Sequence, residues 1–452
     1  MRADLRLAWQ LIRGSDRREW WRVGLTALGA ALATGFALAG VALASLDGYN
    51  SVPLAHGLLN TPGGRSGVIF SLALLLIPVL GFLGQSARIG AVHRDRRLAG
   101  LRLAGATPWQ VRRIAALEAG LACLLGSALA SAVAVPVLLS LWTSPAVLAW
   151  AGMALVVLAV PALGAAVSAL ALRRVVASPL GWVRRVRTAR RPGRVFLVAT
   201  GLLVVLAVLT LLAPVYDRPH RFSPVALVVL ALALLVGAAA VWLTGWSSGL
   251  LGRTLAARAQ RPALLIAAER LRDDPWAAAR THAAVLLVTV VSTGFVGVRQ
   301  VFLADLHAMR RLGRLGMDME FYTTGLDLTA AAILVALGIV LSALAVGTAE
   351  SLATRRRGLA VQNAAGVPRG VLARALFLET ALPLVPAVVV AGSGGMAIGA
   401  WYASIATEWT VPDVPYVSLL VPLAVYACCL LAAATSLPLL HRSLRPAELR
   451  YG

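Results

Sequence analysis

The chain has 452 residues, of which 59% are hydrophobic and 13% charged, and its mean hydropathy is +0.81. This composition excludes a soluble multidomain protein, because most of the chain must lie in lipid. The net charge is +23 and all 42 Lys-plus-Arg positions are arginine. We attribute that bias to genomic composition, so the placement of the arginines has to decide between a nucleic-acid partner and a membrane surface.

The first residues of the chain predict a helix that lies along the membrane surface. Leu5, Trp9 and Ile12 fall on one face of such a helix, opposite Arg6 and Arg13. An apolar stripe facing lipid, with arginines facing water, is typical of interfacial helices. The alternative, a frayed polar tail, stays open from the sequence alone.

Ten apolar runs follow, and each is long enough to cross a bilayer. They lie at about 22–46, 67–90, 114–141, 145–172, 195–213, 224–245, 281–299, 327–349, 375–401 and 416–440. The first run is long and leads into further spans, so we expect the N-terminus to be retained rather than cleaved as a signal peptide. An even number of spans places both termini on one side of the membrane.

The arginines are concentrated on one side of this topology. Only seven fall in loops of the other side: Arg65, Arg218, Arg221, Arg299, Arg310, Arg311 and Arg314. Basic loops resist translocation, so both termini are predicted to be cytoplasmic, in the inner or plasma membrane of a bacterial cell. The charge then reflects topology and membrane lipid, and no nucleic-acid partner is expected. The longest outer loop, about 300–326, is too short for a folded domain.

The loop after the second span carries the motif RRLAGLRLAGATPWQVRRIAALE, from Arg96 to Glu118. Leu98 and Leu101 recur at helical spacing between arginines, after which Gly105 breaks the helix before the third span. The pattern indicates a short amphipathic helix parallel to the membrane. A loop that only sets the topology would also carry arginines and leucines, and for a single loop that interpretation is favoured.

The motif recurs after the eighth span as RGLAVQNAAGVPRGVLARALFLE, from Arg357 to Glu379. A constant offset of 261 residues relates Gly105 to Gly366 and Glu118 to Glu379. Such self-similarity indicates a duplication, with two modules of parallel topology related by a pseudo-two-fold axis along the membrane normal. Repetition also shifts the interpretation from a topogenic loop towards two equivalent docking sites.

The predicted fold is an all-α polytopic membrane protein with about ten transmembrane helices and duplicated four-helix modules in a 4+2+4 layout. Residues 1–180 form the first module together with the N-terminal interfacial helix. Residues 181–260 hold an Arg-rich linker and a central insert of two spans that has no counterpart. Residues 261–452 form the second module.

The two motifs resemble the signature of FtsX-like permeases, the membrane subunits of a class of ATP-binding-cassette (ABC) transporters. The ten-span plan is similar to that of bacitracin-type antimicrobial-peptide permeases, although those carry a large extracellular domain before the eighth span that is missing here. The resemblance implies coupling helices that dock a cytoplasmic ATPase. They involve Arg96, Leu98, Leu101, Arg102, Gly105 and Thr107 in the first motif, and Arg357, Leu359, Gln362, Asn363, Gly366 and Pro368 in the second.

The second motif departs further from the family pattern. An acidic residue common in the basic stretch is replaced by Arg97 in the first copy and by Gly358 in the second, which puts ionic docking in doubt. Gln362 and Asn363 also weaken the amphipathic face of the second copy. We therefore predict two unequal docking sites.

Glu118 and Glu379 stand shortly after the start of their spans. An acid at the bilayer centre would cost about 3 kcal/mol, but near the interface it can reach headgroups, Arg113 or Arg374, or the N-terminal end of its own helix. We interpret both acids as structural anchors at the membrane interface; a proton relay is the alternative.

The sequence contains neither a GxxxxGK[ST] phosphate loop nor an HExxH motif. The chain is therefore predicted not to be an enzyme, with no cofactor of its own, and ATP and magnesium would bind to a partner ATPase present in two copies. The substrate implied by the resemblance is hydrophobic or amphipathic: an antimicrobial peptide, drug or lipid. A mechanotransmission subunit without translocation and an ion-coupled secondary transporter are the alternatives.

Overall fold

The chain is an all-α, multi-pass membrane protein. The computed structural model describes residues 17–46, 48–49, 52, 55–86, 100–101, 103–141, 147–171, 224–406 and 415–438. Eight of the described helices are long and apolar enough to cross a membrane. The predicted interfacial helix at the N-terminus, the Arg-rich linker and the fifth span at 195–213 lie outside the described residues. The other nine predicted spans all fall on helices.

Eleven α-helices occur in the described part of the chain. In order they are α1 Arg17–Ala44, α2 Pro62–Ser86, α3 Pro108–Leu141, α4 Val147–Ala171, α5 Pro224–Arg258, α6 Pro262–Asp273, α7 Pro275–Arg311, α8 Met319–Thr354, α9 Arg356–Ala364, α10 Arg369–Ala406 and α11 Leu420–Ala434. Short 3-10 turns at Ala55–Asn60 and Tyr416–Leu419 precede α2 and α11.

Helices α7 and α8 are longer than their predicted spans. Only residues 312–318 leave helical conformation in the segment 300–326 that the sequence assigns to a loop. Charged side chains such as Arg299 end the apolar run there, but Leu, Ala, Met and Arg all favour a helix, and Val301 and Leu306 are buried along it. At 1.5 Å per residue α7 is about 56 Å long, against about 30 Å of hydrocarbon.

The described helices divide into two compact units. Unit 1 contains α1 to α4 and residues Glu320–Glu350 of α8; unit 2 contains α5, α6, α7, α9, α10, α11 and the end of α8. The predicted second module would keep α8 with α7 and α10, so the compact units do not follow the repeat at this helix. The boundaries of the sequence modules themselves stay a prediction.

Within unit 1, α1 packs against α2, α3 and α4. Thr34 of α1 donates a buried hydrogen bond to Ser127 of α3 over 3.2 Å, and the Ser127 hydroxyl donates to the carbonyl of Val157 in α4 over 3.1 Å. These bonds satisfy polar groups that lipid could not, and they link three helices.

Helix α8 packs in unit 1 against α1 and α2. Ile339 and Ala343 of α8 form one buried cluster with Ala33 of α1 and with Val79 and Phe82 of α2. A helix that the repeat assigns to the second module therefore helps to form the core of unit 1.

Within unit 2, α7 and α10 approach most closely at glycines. A Cβ atom placed on Gly399 would lie 3.1 Å from the Cα of Gly297, and one on Gly395 would lie 2.7 Å from the Cβ of Thr293. Small residues at these positions let the two backbones come into contact. Helix α5, the described span of the central insert, packs against α6, α7 and α10 and so belongs to this unit.

Candidate functional site

The candidate site consists of two short segments where a helix ends at a glycine and a span begins: turn 1 (residues 100–111) and turn 2 (residues 361–372). In turn 1 Gly105 has a φ of +95°, and the N–H of Ala106 donates to the carbonyl of Leu101 over 3.0 Å. A glycine in the left-handed conformation beside a bond that spans six residues is the Schellman ending of a helix. The helix therefore stops at a defined residue.

Turn 2 repeats this geometry at the offset of 261 residues. Gly366 has a φ of +92°, and the N–H of Val367 donates to the carbonyl of Gln362 over 3.1 Å. The Gly366 N–H also donates to the carbonyl of Asn363 over 3.1 Å, which completes the Schellman pattern. The two turns thus share their backbone conformation as well as their sequence order.

The spans that follow begin differently. In turn 1 the Gln110 N–H donates to the Thr107 hydroxyl and the Thr107 N–H donates to the Gln110 side-chain oxygen, over 3.3 and 2.8 Å. This reciprocal pair is a capping box, and Pro108 suits the first position of the helix. Turn 2 has Pro368 in place of Thr107 and so lacks the hydroxyl and the N–H of this capping box, although both residues' carbonyls accept a backbone N–H, from Val111 and Leu372 respectively. Thr107, which was predicted to be a docking residue, thus acts in this structure as the N-cap of α3.

The two turns present different surfaces. Leu103 and Trp109 of turn 1 are 82% and 66% exposed. The equivalent positions of turn 2 are Ala364 and Gly370, and its exposed large apolar residue is Val361. Turn 1 therefore exposes the larger apolar surface, through residues other than the predicted docking residues. That the two docking sites are unequal stays a prediction. The exposure of Leu103 could have been predicted from the sequence, because Leu103 is two residues from Leu101 and so cannot share its helix face.

Leu359 does not lie on an exposed face. It is fully buried in a cluster with Leu352 and Leu372, against which Ile266 and Val367 also pack. The expectation that Leu359 enters a groove of the partner is wrong for this structure, because the side chain faces the protein's own helices. Leu359 instead fixes α9 to α6, α8 and α10.

The other predicted docking residues are described only in part. Leu101 packs inward against Val111, while Gln362 and Asn363 are half-buried and their carbonyls accept the bonds of turn 2. Arg357 lies in α9, but its side chain lies outside the description. Arg96, Leu98 and Arg102 also lie outside the described residues.

Glu379 of α10 binds two arginines, and we call this triad the clasp. The guanidinium Nη1 of Arg355 donates to Oε1 over 2.6 Å, and the Nη1 of Arg270 donates to Oε2 over 3.1 Å. Arg374, one of the partners considered from the sequence, is exposed on the same helix. Arg270 and Arg355 were not predicted as partners from the sequence, because they are 109 and 24 residues away from Glu379 along the chain. Glu118, the equivalent of Glu379 in α3, is 3% exposed.

The comparison with known families bears on the first module. Residues 68–180, which include turn 1, match the family described as FtsX-like permease C-terminal. This segment is an FtsX-like permease domain. Because that family supplies membrane subunits of ABC transporters, the permease domain supports such a subunit in general. No curated protein matches the chain.

Proposed function

We propose that the chain couples ATP hydrolysis by a separate cytoplasmic ATPase to the export or displacement of a hydrophobic or amphipathic substrate. The observation that carries the proposal is the equivalent helix ending in turns 1 and 2, each built around a left-handed glycine and a bond that spans six residues. A loop that only sets topology needs arginines but no fixed conformation. Two turns of defined conformation at equivalent places support two docking sites, and hence two copies of the ATPase.

The exposed apolar residues of turn 1 support a protein partner there. Leu103 and Trp109 flank the glycine of turn 1 and together offer a large aromatic and aliphatic surface. Buried aromatic and aliphatic anchors in a partner's groove dominate the binding energy of such interfaces. Turn 2 offers Val361 and a smaller surface, so we expect turn 1 to bind the ATPase more strongly.

We base the proposed orientation on the arginine distribution, and the proposed substrate and direction on analogy with the permease family. We place both termini on the cytoplasmic side of a bacterial inner or plasma membrane, where ATP and magnesium bind to the partner. The substrate is an antimicrobial peptide, a drug or a lipid, moved along or out of the outer leaflet. This assignment rests on family analogy.

Charge substitutions in the turns test the docking role. The partner is sought as the phosphate-loop protein encoded by a neighbouring gene and is co-purified with the full chain in detergent. Leu103→Glu should lower its recovery about tenfold or more, because truncating or charging an interface anchor removes a dominant contact. Val361→Glu should lower recovery less.

The control is Leu312→Glu, an exposed leucine between α7 and α8, on the predicted outer side. It should leave recovery unchanged. Equal recovery of the ATPase by wild type, Leu103→Glu and Val361→Glu would rule out both turns as docking sites.

The length of α7 favours a second candidate, a mechanotransmission subunit without a translocation path. The residues of α7 beyond the predicted span, 300–311, add about 18 Å of helix on the predicted outer side. A rigid extension of this kind can transmit a tilt to an outside partner. Transport of a labelled amphipathic substrate into or out of proteoliposomes distinguishes the two, since only the permease moves it.

A further inference from the structure

The clasp joins three elements at one carboxylate. Glu379 lies about three turns into α10, Arg270 lies in α6, and Arg355 is the residue between α8 and α9. Each carboxylate oxygen accepts from a different guanidinium, so neither arginine can replace the other. The clasp therefore fixes the start of α9 relative to both α10 and α6.

The surroundings of the clasp strengthen it beyond a surface ion pair. The side chains of Glu379 and Arg270 are only 20% and 21% exposed, and that of Arg355 is 38% exposed. Partial removal from water strengthens charge-assisted hydrogen bonds and raises the cost of leaving one partner unpaired. By contrast, the Glu269–Arg272 pair on α6 is more than half exposed on both sides and contributes little.

An apolar cluster holds the same elements together. Leu359 of α9 packs with Leu352 of α8 and Leu372 of α10, and Ile266 of α6 lies against them. The ion pairs of the clasp and the apolar cluster thus both hold α9 and its start against α6, α8 and α10. Helix α6 in turn packs against α5 and α10.

We propose that Glu379 is a positioning residue that makes turn 2 rigid, so that displacement of α9 by a bound ATPase moves α10 and α6 instead of bending the connection. The inference rests on the proposed function, and it adds the route by which force leaves turn 2. Through α6 the movement reaches α5, the span of the insert that the repeat does not explain. Without the clasp, only the apolar cluster around Leu359 holds α9 to these helices, so we expect less of its displacement to reach the spans.

The first test needs no ATPase. Hydrogen exchange is measured on the full chain in lipid nanodiscs for wild type, Glu379→Gln and the control Glu269→Gln. The glutamine amide has no negative charge and keeps one acceptor oxygen, so at least one of the two bonds is lost. Amide exchange in α9 should then rise about tenfold, while the control leaves it unchanged. Exchange in α9 that is the same in Glu379→Gln and in the control overturns the proposal.

The second test separates binding from coupling. With the neighbouring-gene ATPase, Glu379→Gln should keep recovery of the partner within about twofold of wild type while lowering permease-stimulated ATP hydrolysis about tenfold. Arg355→Lys keeps the charge but loses the planar geometry of the guanidinium, so its stimulation should be intermediate. Full stimulation by Glu379→Gln overturns the proposal.

The outcomes for clasp and docking are distinguishable. If the wild type binds no ATPase, the proposed function fails, but the exchange result still decides whether the clasp holds α9. If Glu379→Gln does not insert into the membrane, Arg355→Gln removes one arm and leaves Glu379 paired with Arg270. That variant should show the same separation of binding from stimulation, and unchanged exchange and stimulation would overturn the proposal.

Discussion

Gly366 sets the conformation of turn 2, and its replacement by alanine isolates that role. A Cβ atom there would meet nothing within 4 Å, so any effect comes from the φ of +92° alone. Gly366→Ala should lower the free energy of unfolding by about 1–2 kcal/mol, measured by denaturation in detergent. The control Gly358→Ala, inside α9 and equally free of contacts, should stabilise by about 0.5–1 kcal/mol. Equal effects of both would exclude a strained turn.

At the scale of helices, the contact of α7 with α10 depends on Gly395. A Cβ atom there would lie 2.7 Å from both the Cβ of Thr293 and the carbonyl oxygen of Val290. Gly395→Ala should therefore force the helices apart and cost about 1–3 kcal/mol, measured as a lower thermal midpoint. Gly338→Ala makes the same change in α8, where nothing lies within 4 Å, and should not lower the midpoint. A lower midpoint in both variants would contradict the packing argument.

Helix positions could be predicted from the sequence because hydropathy and charge act locally. The same holds for the two turns, since Gly105 and Gly366 end their helices by bonds within six residues. The burial of Leu359 could not be predicted, because the sequence pattern of a short amphipathic helix is the same whether its leucine faces a partner or the protein's own helices. The arginines of the clasp could not be predicted either, since their pairing with Glu379 depends on how α6, α9 and α10 pack.

For the whole molecule, the position of α8 in unit 1 predicts energetic coupling between residues of different repeats. Phe82 of α2 and Ile339 of α8 share one buried cluster. A double-mutant cycle of Phe82→Ala and Ile339→Ala should give an interaction energy of about 0.5–3 kcal/mol in unfolding measurements. A cycle of Phe82→Ala with Leu431→Ala, an exposed residue of α11 in unit 2, should be additive. Additive effects in both cycles would contradict the packing of α8 in the core of unit 1.

The packing of α8 in unit 1, although the repeat assigns this helix to the second module, also has a consequence for biogenesis. The first four spans leave the ribosome long before Glu320–Glu350 is synthesised, yet that segment completes their unit. Until then, the faces of α1 and α2 around Ala33 and Phe82 have only lipid, the insertion machinery or earlier spans to cover them. Unit 1 can therefore complete its assembly only after residues 320–350 have been synthesised. A nascent chain arrested before residue 320 should be a substrate for membrane quality control.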